Sequence, residues 1–133
     1  MITLDDARRV ISAAEKKARE IGQPMNIAVV DAGGNLVSHI RMDGAWLGSI
    51  DISINKALTA RAFNVSTVEL AENSQPGQQF FGIHISNHGR VMIFAGGIPL
   101  RRDGAIIGGI GVSGGSGTQD EAVARAGASA LVG

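Results

Sequence analysis

The sequence predicts an α+β sandwich, on three observations. Apolar residues recur at helical spacing near both ends of the chain and again in its middle. The intervening segments read as short strands. Tight turns join neighbouring strands, and short connections require antiparallel pairing. The expected order is α-β-β-α-β-β-β-α, a five-stranded antiparallel sheet flanked by helices. It forms a single domain, residues 1–133, long enough to bury a core without disulfide or metal staples.

The first helix is expected over residues 3–21. Leu4, Ala7, Val10, Ile11, Ala14, Ala18 and Ile21 form an apolar stripe, and Asp5, Arg9, Lys16 and Glu20 lie off it. The stripe packs on the domain's own sheet or on a second subunit. Thr3 and Asp6 have capping-box spacing, with Asp in place of the usual Glu, and Gly22 and Pro24 end the helix. Strands follow at Asn26–Asp31 and Leu36–Met42, joined by the turn Ala32-Gly-Gly-Asn35. The second helix runs from about Ser49 to Phe63, and Thr67–Asn73 adds a helical turn before the loop Gln75-Pro-Gly-Gln78. Three more strands are expected at Arg90–Phe94, Ile98–Arg102 and Ala105–Ser113, the last two joined by the hairpin turn Asp103-Gly104. A final helix runs from Thr118 to about Leu131, opened by a capping box of Thr118 and Glu121.

Nine of the nineteen glycines fall between Gly96 and Gly117. Glycine loses the most backbone freedom on folding, so this density implies backbone close to backbone, or backbone close to a ligand. Strand alternation places Ala105, Ile107, Gly109, Gly111 and Ser113 on one face. The final helix offers Ala122, Ala126 and Ala130, so these two elements are expected to approach closely.

Composition excludes several functions. Lys plus Arg and Asp plus Glu both count 12, and there is one Trp and no Tyr, so neither a basic footprint nor an aromatic platform for nucleic acid exists. No Cys is present, which removes disulfides, thiolate metal sites and a cysteine nucleophile. No signal-peptide core or membrane-length apolar run is visible, and a cytoplasmic protein is expected.

Two glycine motifs fail in context. Gly109-Ile-Gly-Val-Ser-Gly114 fits the dinucleotide fingerprint, but no second parallel strand or later acidic residue follows it. Gly111-Val-Ser-Gly-Gly115 fits the nucleophile elbow, yet His39, His84 and His88 all precede Ser113. What remains is a strand-end loop, including Ser113 and Gly114, that feeds a helix N-terminus and can hold an anion; alternatively Ser113, Ser116 and Thr118 satisfy its N–H groups themselves. His84 and His88 have metal-pair spacing only on a helix, and their segment reads as a strand entering a turn, so no metal site is expected. His39, Arg41 and Asp43 alternate along one face, as solvated surface or as the wall of a polar pocket. Lys56 carries the same two readings.

Six motifs in order resemble the GlcG/HbpS family across nearly the whole chain: Val29–Gly34, Arg41–Ala45, Lys56–Ala60, Gly96–Leu100, Gly108–Gly115 and Gln119–Glu121. The resemblance implies a compact, profilin-like α+β fold with a five-stranded sheet, assembled as homo-oligomers from dimers to octamers. It implies haem (tetrapyrrole) binding, haem degradation or iron sensing in some members, fusion to cobalamin adenosyltransferases in others, and proximity to catabolic genes. Its matching polar positions are Asp31, Arg41, Asp43, Lys56, Thr59, Ser113 and Asp120, and its glycine motifs add Gly97 and Gly114 as ligand-side candidates. Imidazole is the commonest haem ligand, so His39 and His84 are the candidate axial ligands.

Three functions follow. A cytoplasmic haem-binding protein would set a histidine near the iron, with Arg41 or the Ser113 loop near the propionates. A small catabolic enzyme would use Asp43 or Asp31 as general base and Lys56 or Arg41 to hold a substrate carboxylate. An accessory protein would use its glycines for packing alone.

Overall fold

The computed structural model describes residues 1–131. Its elements are α1 (Leu4–Ile21), β1 (Asn26–Asp31), β2 (Leu36–Arg41), α2 (Ser49–Phe63), α3 (Thr67–Asn73), two 3-10 turns (Ile83–Ile85 and Asn87–Gly89), β3 (Gly97–Arg102), β4 (Ala105–Ser113) and α4 (Gly117–Ser129). The strands form one antiparallel sheet in the order β2-β1-β4-β3. Helices α1 and α4 cover one face, and α2 covers the other. No helix among the described residues is long and apolar enough to cross a membrane.

The sheet therefore has four strands, and the order is α-β-β-α-α-β-β-α, which corrects the expectation of five strands ordered α-β-β-α-β-β-β-α. Arg90–Phe94 is not a strand. The Met92 N–H is taken by the Thr59 hydroxyl at 3.0 Å, and the free edge of β3 is closed at Gly97, whose N–H donates to Thr67 Oγ1 at 2.7 Å. With that edge occupied by the first residue of α3, Arg90–Phe94 has no ladder to join.

Local signals account for the ends of α1. The Thr3 side chain accepts from the Asp6 N–H, Asp6 accepts from the Thr3 N–H, and Gly22 adopts the left-handed conformation (φ 81°) that closes the helix. The final helix starts one residue earlier than expected, with Ser116 and Gln119 forming the capping box in place of Thr118 and Glu121.

Two cores differ in residue size. The face under α1 and α4 buries Val10, Ile27, Val29, Leu100, Ile110 and Val112. The face under α2 is built from Ala28, Val30 and Ala57, with Gly109 and Gly111 against the helix backbone. The small residues of β4 thus admit α2, not the final helix, to close approach. A bulge in β4 also shifts the register from Leu100↔Gly108 to Arg101↔Ile106, so Ile107 joins the α1/α4 core instead of sharing the face of Gly109 and Gly111.

Asp6 joins the start of α1 to the end of β3. Its carboxylate accepts from the Thr3 N–H at 3.0 Å and meets Arg102 at 2.9 Å and Arg9 at 2.7 Å. The Thr3 N–H, then Arg102 and Arg9, hold its pKa well below the usual carboxylate range. A lowered native pKa stabilises the fold above the unfolded value of about 3.9, and that contribution is lost as pH falls through the native value. Asp6→Asn is expected to lower Tm at neutral pH, with the gap to the unsubstituted protein closing as pH falls below about 4. Thermal melts across that range check this; a gap independent of pH would contradict it.

Candidate functional site

The most polar buried seam lies where α2, the end of β4 and the start of α4 meet. Lys56 points from α2 toward the sheet and is 1% exposed. Its ammonium donates to the Val112 carbonyl at 2.8 Å and to Asp120 Oδ2 at 3.0 Å. The other Asp120 oxygen accepts the Gly115 N–H at 2.9 Å, and the Gly114 N–H also points to this carboxylate. Burial pulls the Lys56 pKa down and pushes that of Asp120 up; their mutual attraction opposes both shifts, the charge of Glu121 opposes that of Lys56, and the Gly115 and Gly114 N–H groups oppose that of Asp120. Asp120 is thus an internal anion at the loop, taking N–H groups for which an external anion and the hydroxyls of Ser113, Ser116 and Thr118 were the two expected partners.

Glycine is required beside this pair. Gly96 has φ 118°, and a Cβ there would lie 3.0 Å from Lys56 Nζ and 3.0 Å from Asp120 Cβ. A Cβ on Gly97 would fall 2.6 Å from the Lys56 carbonyl oxygen. Ser113 donates its hydroxyl to Ser49 at 2.9 Å, and Thr59 donates to the Asn55 carbonyl at 2.7 Å. The structure therefore brings Lys56, Gly97, Ser113, Gly114 and Asp120 into one seam, whereas Thr59 serves the Arg90–Met92 segment, accepting the Met92 N–H. The seam's polar atoms are engaged with one another and with backbone, so it fixes the glycine loop against α2.

The other candidates lie elsewhere. Asp31 holds the β1–β2 turn, accepting the N–H groups of Gly33 at 2.9 Å and Asn35 at 3.0 Å. Arg41 is exposed at the end of β2, and Asp43 is exposed just beyond it. His39 pairs with Ala28 on the sheet face under α2; its Nε2 is buried without a partner. Burial, and then the charge of Arg41, pull its pKa down and favour the neutral ring. His84 is exposed on the first 3-10 turn. Among the described residues, no cluster of three His, Cys, Asp or Glu side chains has metal-binding geometry.

Sequence reading missed an opening with an aromatic and aliphatic wall. Phe63, Val65, Leu70, Phe80 and Ile83 line a groove of about 490 Å³ between α2, α3 and the segment that carries His84. That volume is in the range of small-molecule sites, about 300–1,000 Å³. Phe81 and Ile85 are exposed nearby in sequence at 62% and 74%, an uncommon density of large apolar side chains for a loop. The signal was present in Phe80-Phe-Gly-Ile-His-Ile85, whose apolar residues follow neither strand nor helix period.

Comparison with known proteins agrees with this architecture. A 15.0 kDa protein of the dhaT-dhaS intergenic region of Citrobacter freundii is 44% identical over 124 residues, 93% of this chain and 87% of that protein. The corrinoid adenosyltransferase PduO of Salmonella typhimurium is 36% identical over 98% of this chain, which spans 39% of that protein's length. The crystal structure of a PduOC:heme complex matches with a TM-score of 0.93 and 36% identity, covering 98% of this chain and 94% of that one. The HbpS-like family model, described as haem degrading protein, matches residues 2–129. The chain belongs to this HbpS-like family, the GlcG/HbpS group that its motifs resemble.

Proposed function

We propose that this protein binds haem. The observation that carries the reading is the likeness, along 98% of the chain, to a PduO domain crystallised with haem. The apolar groove beside His84 fits such a ligand in its volume and its aromatic and aliphatic lining. In this reading Phe63, Leu70, Phe80 and Ile83 cover the ring, and His84 ligates the iron. Haem bound there would supply an iron centre that an imidazole can ligate. His39 is a poorer ligand, because its Nε2 is enclosed under α2.

The reading includes self-association in the cytoplasm. Trp46, Leu47 and Phe94 are exposed at 65%, 73% and 55%, large apolar surfaces that a second subunit would cover. Assistance to haem degradation is the further step: loaded protein given a reductant and dioxygen would lose its Soret band faster than free hemin.

Hemin titration followed at the Soret band tests the binding. Saturable binding is expected, with His84→Ala weakening it at least tenfold (about 1.4 kcal/mol) and His39→Ala leaving it intact. A titration matching that of an unrelated control protein would overturn haem binding. Tight binding unchanged in His84→Ala would overturn the axial assignment alone.

A further inference from the structure

Among the described residues, the wall of the groove beside His84 carries one charged side chain, and it is an anion. Glu69 shares that wall with the neutral amides of Asn73 and Gln79 and with the apolar side chains. It is exposed, so a ligand entering the groove meets it directly. Its carboxylate pairs with no Lys or Arg among the described residues.

Helix capping does not engage this carboxylate. Glu69 is the third residue of α3, the place from which a Glu or Gln side chain reaches back to the N-cap N–H. Asp6 in α1 and Gln119 in α4 make that bond. In α3 the Ser66 hydroxyl accepts the Glu69 N–H at 3.3 Å, but the return bond is not made. The first turn of a helix favours a negative charge, yet that role concerns stability and moves no ligand affinity. The two amides add no cation. Asn73 gives an N–H to the Glu69 carbonyl at 3.0 Å, and Gln79 gives one to Asn73 Oδ1 at 3.2 Å.

Haem is asymmetric at its rim. One edge bears two propionates, and the opposite edge bears only vinyl and methyl groups. A propionate brought against Glu69 is opposed by like-charge repulsion and by lost hydration. We propose that Glu69 is a specificity-determining residue of this groove: it rejects the propionate edge, so haem enters by its vinyl and methyl edge with the propionates in water. This assignment rests on the haem reading of the groove.

Hemin and its dimethyl ester, whose propionates are neutral, are titrated against the unsubstituted protein, Glu69→Gln and Glu69→Lys at low and high salt. Glu69→Gln is expected to tighten hemin by about two- to fivefold, the scale of one solvent-screened charge pair, and Glu69→Lys by more. Affinity for the ester should not change. The gain for hemin should shrink at high salt, and the Soret position should stay fixed because the iron ligand is untouched. Equal changes for hemin and ester, or a gain independent of salt, would overturn the electrostatic role of Glu69. Saturable hemin binding with the same affinity in all three proteins would overturn the proposal and leave haem binding standing. Absence of saturable hemin binding would overturn the haem reading and this assignment together.

Discussion

Gly111→Ala is expected to destabilise the protein by about 3 kcal/mol or more, the upper end for overpacked cores, and Gly111→Val to abolish cooperative unfolding. A Cβ on Gly111 would overlap the Ser53 carbonyl oxygen and lie 2.5 Å from the Ala57 backbone nitrogen. Both neighbours are helix backbone, which cannot rotate aside as a side chain does. The whole of α2 would have to lift from the sheet, and Lys56 and Ser49 would leave the seam with it. Gly117→Ala is the control. Its Cβ would meet only Ala95 Cβ, at an ordinary 3.6 Å, in the first turn of α4. Helix propensity there favours Ala over Gly by up to about 1 kcal/mol. Urea unfolding of the two variants should thus move in opposite directions, and a Gly111→Ala protein as stable as Gly117→Ala would refute the close approach.

The contrast between these two glycines also marks what was legible in the sequence. Thr3, Asp6 and Gly22 act within a few residues of themselves, so spacing alone located the ends of α1. The alternation of β4 correctly set Gly109 and Gly111 on one face. It carried no information about which layer covers that face, and the bulge at Ile107 is invisible in apolar period. Val91-Met-Ile-Phe94 has the composition of a strand. Its pairing was decided by Thr67, thirty residues from Gly97, which closes the edge it would need. Lys56 was ambiguous for a related reason. Its helix has little amphipathic contrast, because the side facing the sheet is made of Ser49, Ser53, Ala57 and Ala60 as well as Lys56 itself. Lys56 and Asp120 meet across sixty-four residues of sequence, as do Ser113 and Ser49, and no local spacing shows such contacts. Asp31, expected to end a strand and considered as a general base, accepts the N–H groups of the turn that follows it.

Removing either member of the Lys56–Asp120 pair is expected to destabilise the fold by about 3–5 kcal/mol, since each leaves the other as an uncompensated buried charge. The two losses should differ in their dependence on pH. In Lys56→Met, Asp120 loses its counter-charge, and burial raises its native pKa further. A raised native pKa favours the fold at low pH and ceases to do so as pH rises through it, so this variant's deficit should grow from about pH 4 to neutrality. In Asp120→Asn, burial lowers the native pKa of Lys56 without opposition from its main partner. The unfolded state then binds more protons, stability rises with pH, and the deficit should shrink toward alkaline pH. Lys56→Met with Asp120→Leu removes both charges but leaves the Gly115 N–H and the Val112 carbonyl without their partners, so it should cost less than the sum of the single changes yet more than nothing. Denaturant titrations of the three variants at several pH values separate these outcomes. Parallel pH slopes for the two single variants would show that the pair is not ionised in the native state.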